Sequence, residues 1–213
     1  MDRRTFTAAG VALALGPVPA WSKPINVDHG GTVRAVDQGS ANLCWLASAA
    51  MLVSAQRGTA ISMAAMAKEL GQPFSDLYAA GQRDASKGAL GTKLVQPLAG
   101  KLGARATGLA SFDVDVWASM ITRGPIFIAG YTPGAQMGHA VVITGLSGDT
   151  SKQQELVVRL IDPAGGTAKT QKFAALIRFY EGLATAGVPQ LLQFSDANCW
   201  FGLSTSLQPC VEK

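Results

Sequence analysis

The sequence predicts an α+β protein, because segments typical of helices come first along the chain and segments typical of strands come later. Apolar residues make up 48% of the 213 residues and charged residues 15%, which is ample material for a buried core. The length suits one domain or two small lobes that share a cleft. We therefore expect a helical N-terminal lobe at about 41–123 and a β-rich C-terminal lobe at about 124–213.

Four helices are predicted in the first part of the chain. The clearest spans residues 44–57, where Asn42 is a favoured N-cap and Gly58 a favoured stop. This helix is apolar almost all round, so it should be buried. The others are predicted at 63–70, capped by Ser62, at 93–102 and at 113–123, and each is followed by glycine. Residues 72–92 are predicted to be a loop that contains a short helix.

The strands are predicted after residue 125. Short apolar runs rich in β-branched residues occupy 126–131, 139–145 and 156–161. The second and third runs are separated by a polar, glycine-containing turn, so they are predicted to form a hairpin. A further strand at 169–173 and a helix at 174–183 are expected to follow.

The first twenty residues resemble an export signal. Arg3-Arg4 and Phe6 precede a short apolar stretch, and a Pro-rich segment ends at Ala20. This layout is typical of a twin-arginine signal that is cleaved, so we expect an exported protein, periplasmic or secreted, whose mature domain spans 21–213. The alternative is an amphipathic helix of the mature fold, which the Pro-rich end disfavours.

Charge and hydropathy limit the partners. The formal net charge is +4, but the basic residues are scattered and do not form a track for nucleic acid. No apolar run approaches the roughly 18 residues that a membrane span requires, so no stable membrane insertion is expected. We expect a monomer.

The chain has three cysteines, so at least one thiol is left without an intramolecular partner. Cys199 and Cys210 lie close together in sequence and would form a disulfide in an oxidising compartment, or would remain two separate buried thiols. Metal-ligand motifs are missing and there are two histidines in all. We therefore expect neither a metal nor an organic cofactor.

Cys44 is the candidate nucleophile. A cysteine attacks as the thiolate, and the start of a helix stabilises negative charge through its unpaired N–H groups and its dipole. Cys44 begins the first predicted helix, and Gln38 lies six residues before it. A turn between them would bring the Gln38 amide over the helix start, where it could stabilise an oxyanion together with the Cys44 backbone N–H.

His139 and Asp162 are the candidate base and its orienting residue. His139 opens one strand of the predicted hairpin and Asp162 ends the other, so both belong to the same end of it. A cysteine nucleophile requires such a histidine, which in turn requires an acceptor on its second nitrogen. Each residue alone has an ordinary structural interpretation. The four together, in this order, predict an acyl-transfer site.

These residues resemble the active-site segments of papain-like cysteine peptidases. Residues 37–45, Asp-Gln-Gly-Ser-Ala-Asn-Leu-Cys-Trp, are similar to the segment in which a Gln-Gly pair precedes the catalytic Cys-Trp, and Gly-His-Ala-Val at 138–141 is similar to the segment that carries the base. The chain departs from papain in having Asp162-Pro163 in place of Asn-Ser-Trp, and it is short. It looks more like the compact bacterial branches, AvrRpt2-type or C39-like.

The resemblance implies a papain-like two-lobe fold, with a helical lobe carrying Cys44 and an antiparallel lobe carrying His139 and Asp162. It implies a thiol hydrolase that acts on a peptide or protein substrate and cleaves peptide or amide bonds, with Gln38 in the oxyanion hole. Two alternatives remain on the same fold: an acyltransferase or amidase, and a non-catalytic protein that binds ligands in the cleft.

Overall fold

The computed structural model of the protein describes residues 23–39, 42–107, 113–131, 137–183 and 189–194. The predicted export signal, Cys199 and Cys210 lie outside these residues. None of the helices within the described ranges is long and apolar enough to cross a membrane.

The described residues form six α-helices, two 3₁₀ turns (Thr92–Leu94 and Gln153–Glu155) and seven strands. The helices are α1 Cys44–Arg57, α2 Met63–Leu70, α3 Phe74–Arg83, α4 Val95–Leu102, α5 Val114–Arg123 and α6 Phe173–Gly182. The strands are β1 Pro24–Asp28, β2 Arg105–Thr107, β3 Ile126–Gly130, β4 His139–Asp149, β5 Val157–Asp162, β6 Thr167–Lys172 and β7 Leu191–Gln193.

Helix α1 has the predicted ends, but its cap is not the predicted residue. Gly58 adopts the left-handed conformation (φ 69°) just past the last turn, as a C-terminal glycine stop requires. At the other end the N-cap is Leu43, without a side-chain cap. The Asn42 side chain instead donates a hydrogen bond to the Ser86 carbonyl (3.1 Å). The prediction that Asn42 caps the helix is wrong, because a tertiary contact takes its amide.

The predicted cap at Ser62 is present, and Asp113, which was predicted as the first residue of its helix, is also an N-cap. The Ser62 hydroxyl accepts from the Ala65 N–H at the start of α2, and the Asp113 carboxylate accepts from the Val116 N–H at the start of α5. The segment at 72–92, predicted as a loop that contains a short helix, does contain a helix, the ten-residue α3. This helix fully buries only Phe74 and Gly81, and it packs against α2.

All strand pairs are antiparallel and form one sheet in the order β2-β7-β3-β4-β5-β6, with β1 added against β4. The α+β prediction is therefore confirmed. Strand β4 has eleven residues because it extends past the predicted Gly145 to pair with β1. The short β2 was not predicted, because three residues carry too little alternation to be recognised.

The sheet separates two apolar cores. Residues of β3 alternate between them: Phe127 packs with α1, α2 and α4, whereas Ile126 and Ile128 pack with α5 and α6. Helix α5, which the sequence placed within the helical segment up to 123, thus packs in the core formed by the strands and α6. Helix α1 lies centrally, with residues 45–54 all buried.

A glycine fixes the contact between β1 and β4. A Cβ atom on Gly145 would lie 2.4 Å from the Val27 carbonyl oxygen, so no side chain fits without moving β1. We expect Gly145→Ala to lower the free energy of unfolding by about 1–3 kcal/mol through this overlap, measured by urea denaturation. The matched control is Gly100→Ala in α4, where the added Cβ meets no atom within 4 Å. It should raise stability by about 0.5–1 kcal/mol. Equal stability of the two variants would contradict the argument.

Candidate active site

The thiol of Cys44 lies at the first residue of α1. It is half-buried and free, and it belongs to the helical turn whose N–H groups have no acceptor within the helix. The next residue holds this end of the helix in place, since Trp45 donates its Nε1–H to the Gly88 carbonyl (2.8 Å) and packs against Phe74. A buried indole therefore fixes the position from which Cys44 projects.

The hairpin of β4 and β5 brings His139 and Asp162 together. The register pairs Val142 with Ile161. Asp162 is the next residue of β5, so it lies beside the first residues of the antiparallel strand β4. His139 Nε2 lies 2.7 Å from Asp162 Oδ1, and the two side chains are only 28% and 15% exposed. The hydrogen-bonded contact that the sequence predicted is present.

Asp162 accepts two further hydrogen bonds. Lys169 on β6 donates from Nζ to Oδ2 (2.7 Å), and the Ala164 N–H donates to Oδ1 (2.9 Å). Burial works to raise the pKa of Asp162, but Lys169, His139 and the Ala164 N–H together outweigh it and the pKa is lowered. Asp162 is therefore an ionised acceptor for the imidazole, and Lys169 balances part of its charge.

His139 connects Asp162 with Cys44. Burial, the largest influence, lowers the pKa of His139, but the hydrogen bonds and charges of Cys44 and Asp162 together exceed it and raise that pKa above its ordinary value. Because an ionised carboxylate only accepts, Nε2–H donates to Asp162, and Nδ1 is the nitrogen left for the thiol. An imidazole with a raised pKa holds a proton readily, as a base paired with a thiol must.

The segment around Gln38 is attached to the turn that follows Asp162. The Gln38 backbone N–H donates to the Pro163 carbonyl (2.8 Å). The carboxylate of Asp37 accepts from the N–H groups of Gly39 (2.8 Å) and Gly165 (3.1 Å), and so joins the two segments. Sequence reasoning missed Asp37. The Asp-x-Gly pattern could have identified it, because an Asp side chain in this pattern accepts a hydrogen bond from the backbone N–H two residues later.

One cavity of about 220 Å³ contains three of the four predicted residues, Gln38, Cys44 and His139. Its other walls are mostly apolar and come from both sides of the sheet, including Leu90, Val95, Phe127, Ala129, Met137, Ala140, Leu183 and Pro189. A wider depression of about 620 Å³ near Lys23 and Asp115 contains none of the four.

The arrangement places a thiol, an imidazole and a side-chain amide around one cavity, and a carboxylate is hydrogen-bonded to the imidazole. No three His, Cys, Asp or Glu side chains gather as a metal site in the part of the chain that the structure describes. The chemistry that these groups can perform is attack of a thiol on a carbonyl carbon, with proton transfer by the imidazole.

Comparison with known proteins agrees with this chemistry. A family model described as papain-like cysteine protease AvrRpt2 matches residues 27–181, which include Gln38, Cys44, His139 and Asp162. Because the match covers well over half of the chain, the protein belongs to this family of papain-like cysteine proteases. The resemblance to papain-like cysteine peptidases that was inferred from the sequence is thus confirmed. Of the two branches named there, the match is to the AvrRpt2 type. A search of curated proteins finds no significant match.

The shifted pKa values of His139 and Asp162 both stabilise the fold, but their contributions depend on pH in opposite directions. The raised pKa of His139 stabilises the fold below the unfolded value of about 6.5, and this contribution is lost as pH rises through the folded value. The lowered pKa of Asp162 stabilises the fold above its unfolded value of about 3.9, and this contribution is lost as pH falls through the folded value. Both contributions are present between these two pH values.

We expect Asp162→Asn to lower the pKa of His139, because the variant removes the charge but keeps an acceptor oxygen. NMR titration of the ring signals measures this directly, since the chain has only two histidines. Asp76→Asn, which removes an equal charge from the first turn of α3, is the control and should leave the His139 titration unchanged. A His139 pKa that stays the same or rises in Asp162→Asn would refute the electrostatic explanation.

Proposed function

We propose that the protein is a peptidase that cleaves peptide bonds through Cys44, with His139 as general base and acid, Asp162 as the orienting residue and Gln38 in the oxyanion hole. The observation that carries this proposal is that His139 lines one cavity together with Cys44 and that its Nε2 lies 2.7 Å from Asp162 Oδ1. Membership of a cysteine protease family supports the reaction class.

Acylation begins when the Cys44 proton moves to His139 and the thiolate attacks the scissile carbonyl carbon. The carbonyl oxygen becomes an oxyanion, which the Gln38 side-chain amide and the Cys44 backbone N–H stabilise. Both donors belong to segments that the structure holds firmly: Cys44 by the anchored start of α1, and Gln38 by its bond to Pro163. His139 then gives its proton to the leaving nitrogen as the C–N bond breaks, and a thioester remains.

Deacylation uses the same groups with water. His139 takes a proton from a water molecule, whose oxygen attacks the thioester carbon and forms a second oxyanion in the same hole. The C–S bond breaks, the proton on the imidazole returns to sulfur, and the acid product leaves. Asp162 keeps the imidazole in the tautomer that presents Nδ1 to the sulfur throughout.

An acyltransferase or amidase would share the acylation half of this sequence. It would differ in the molecule that attacks the thioester, or in the amide that is cleaved. Incubation with a peptide library separates these reactions, because a transferase yields conjugated peptides and a peptidase yields fragments with new termini.

We expect Cys44→Ala to reduce peptide cleavage by about a thousandfold or more, because the nucleophile is lost. His139→Gln should cause a loss of cleavage of similar size. It should also slow the alkylation of Cys44 by iodoacetamide at neutral pH, which mass spectrometry measures. The matched control is His29→Gln, since His29 bonds the Ile121 carbonyl in a different part of the fold. Alkylation confined to Cys199 or Cys210, or unchanged in His139→Gln, would overturn the assignment.

A second variant isolates the oxyanion hole. Gln38→Ala should lower kcat by about 10²–10³-fold, the usual effect of losing one oxyanion donor, with alkylation of Cys44 retained. The control is Gln82→Ala on α3, an exposed residue that lines neither the cavity that contains Cys44 nor the cavity beside Asp162. Loss of alkylation together with kcat in Gln38→Ala would show instead that Gln38 supports the thiol and its base.

A further inference from the structure

A second cavity, of about 370 Å³, adjoins the proposed catalytic residues. We call it the leaving-group pocket and define it by its lining residues, which are His139, Val141, Leu160, Asp162, Lys169, Thr170, Gln171, Ala175, Arg178 and Phe179. His139 belongs both to this pocket and to the cavity that contains Cys44, whereas Cys44 itself borders only the latter. The imidazole therefore lies between the leaving-group pocket and the cavity that contains Cys44.

The charges of the leaving-group pocket are predominantly positive. Its one acid, Asp162, already accepts bonds from His139 and Lys169. Its second cation, Arg178 on α6, is exposed and forms no ion pair with any residue within the described ranges. A guanidinium in this situation offers a planar pair of donors that matches a carboxylate. Lys169 has three N–H donors, and its hydrogen bond to Asp162 uses one of them.

The position of His139 indicates which part of a substrate reaches this pocket. His139 must donate its proton to the leaving nitrogen, so the chain on the amine side of the scissile bond starts beside the imidazole. The acyl side is bonded to Cys44 and lies in the apolar cavity with Gln38 and Trp45. The space on the other side of the imidazole is then available to the first residues of the leaving segment.

We propose that the leaving-group pocket binds a carboxylate on the amine side of the scissile bond, through Arg178 and Lys169, and so selects substrates that are acidic there. This inference rests on the proposed peptidase function. The apolar residues Val141, Leu160 and Phe179 would hold the methylene groups of a Glu or Asp side chain, while the cations bind its charged end.

Cleavage of a proteome-derived peptide library, read by mass spectrometry on both sides of each cut, tests the preference. The wild type should show acidic residues enriched about three- to tenfold within the first few positions of the leaving segment, as an arginine–carboxylate pair provides. Arg178→Gln should lose most of this enrichment. The control is Arg105→Gln, on β2 at the opposite edge of the sheet, which should keep it. No acidic enrichment, or enrichment equal in Arg178→Gln and the wild type, would overturn the proposal.

A second measurement requires no turnover. Ala-Glu-amide should slow iodoacetamide alkylation of Cys44 more than Ala-Gln-amide, and the difference should shrink in Arg178→Gln and at high salt. Free Ala-Gln tests whether a terminal carboxylate serves as well as a side chain. Equal slowing by the three dipeptides would overturn the carboxylate pocket. An uncut library together with selective slowing by Ala-Glu-amide would refute the peptidase and support the pocket, so the two failures are distinguishable.

Discussion

The arrangement of the site depends on the hydrogen bond between His139 and Asp162. It joins the two strands at the end of the β4–β5 hairpin and leaves Nδ1 as the ring nitrogen that is available to the thiol of Cys44. Asp162 can serve this purpose because β6 and the following turn supply Lys169 and the Ala164 N–H, which keep the carboxylate ionised in a partly buried place. Without these donors, burial would favour the neutral acid and weaken its hold on the imidazole.

The same turn also positions the other half of the site. The segment of Gln38 is bonded to Pro163, and Asp37 joins it to Gly165. The proposed oxyanion donor and the proposed base are therefore attached to one short stretch of chain, although they are about a hundred residues apart in sequence. Helix α1, held by Trp45 and by burial on all sides, completes the constellation from within the helical core. The contacts between these three segments thus restrict how far each can move relative to the others.

Many of the helices and strands could be predicted from local patterns in the sequence. The ends of α1 follow from glycine at the C-cap and a run of helix formers, and the strands β3 to β5 follow from short apolar runs between turns. What failed has a common cause. Asn42 suits an N-cap but is bound to Ser86, and β2 is too short to alternate and is defined by its pairing with β7. In each case tertiary contacts outweighed the local preference.

The sequence by itself determined the class of fold, the order of Cys44, His139 and Asp162, and the pairing of the last two, because strand register carries their positions to one hairpin end. Only the tertiary structure decided what surrounds them. The approach of Lys169 to Asp162, the attachment of Asp37 to the turn after it, and the cavity that Arg178 shares with His139 all join residues from different elements. Such contacts depend on packing across the sheet, and no period or spacing in the chain encodes them.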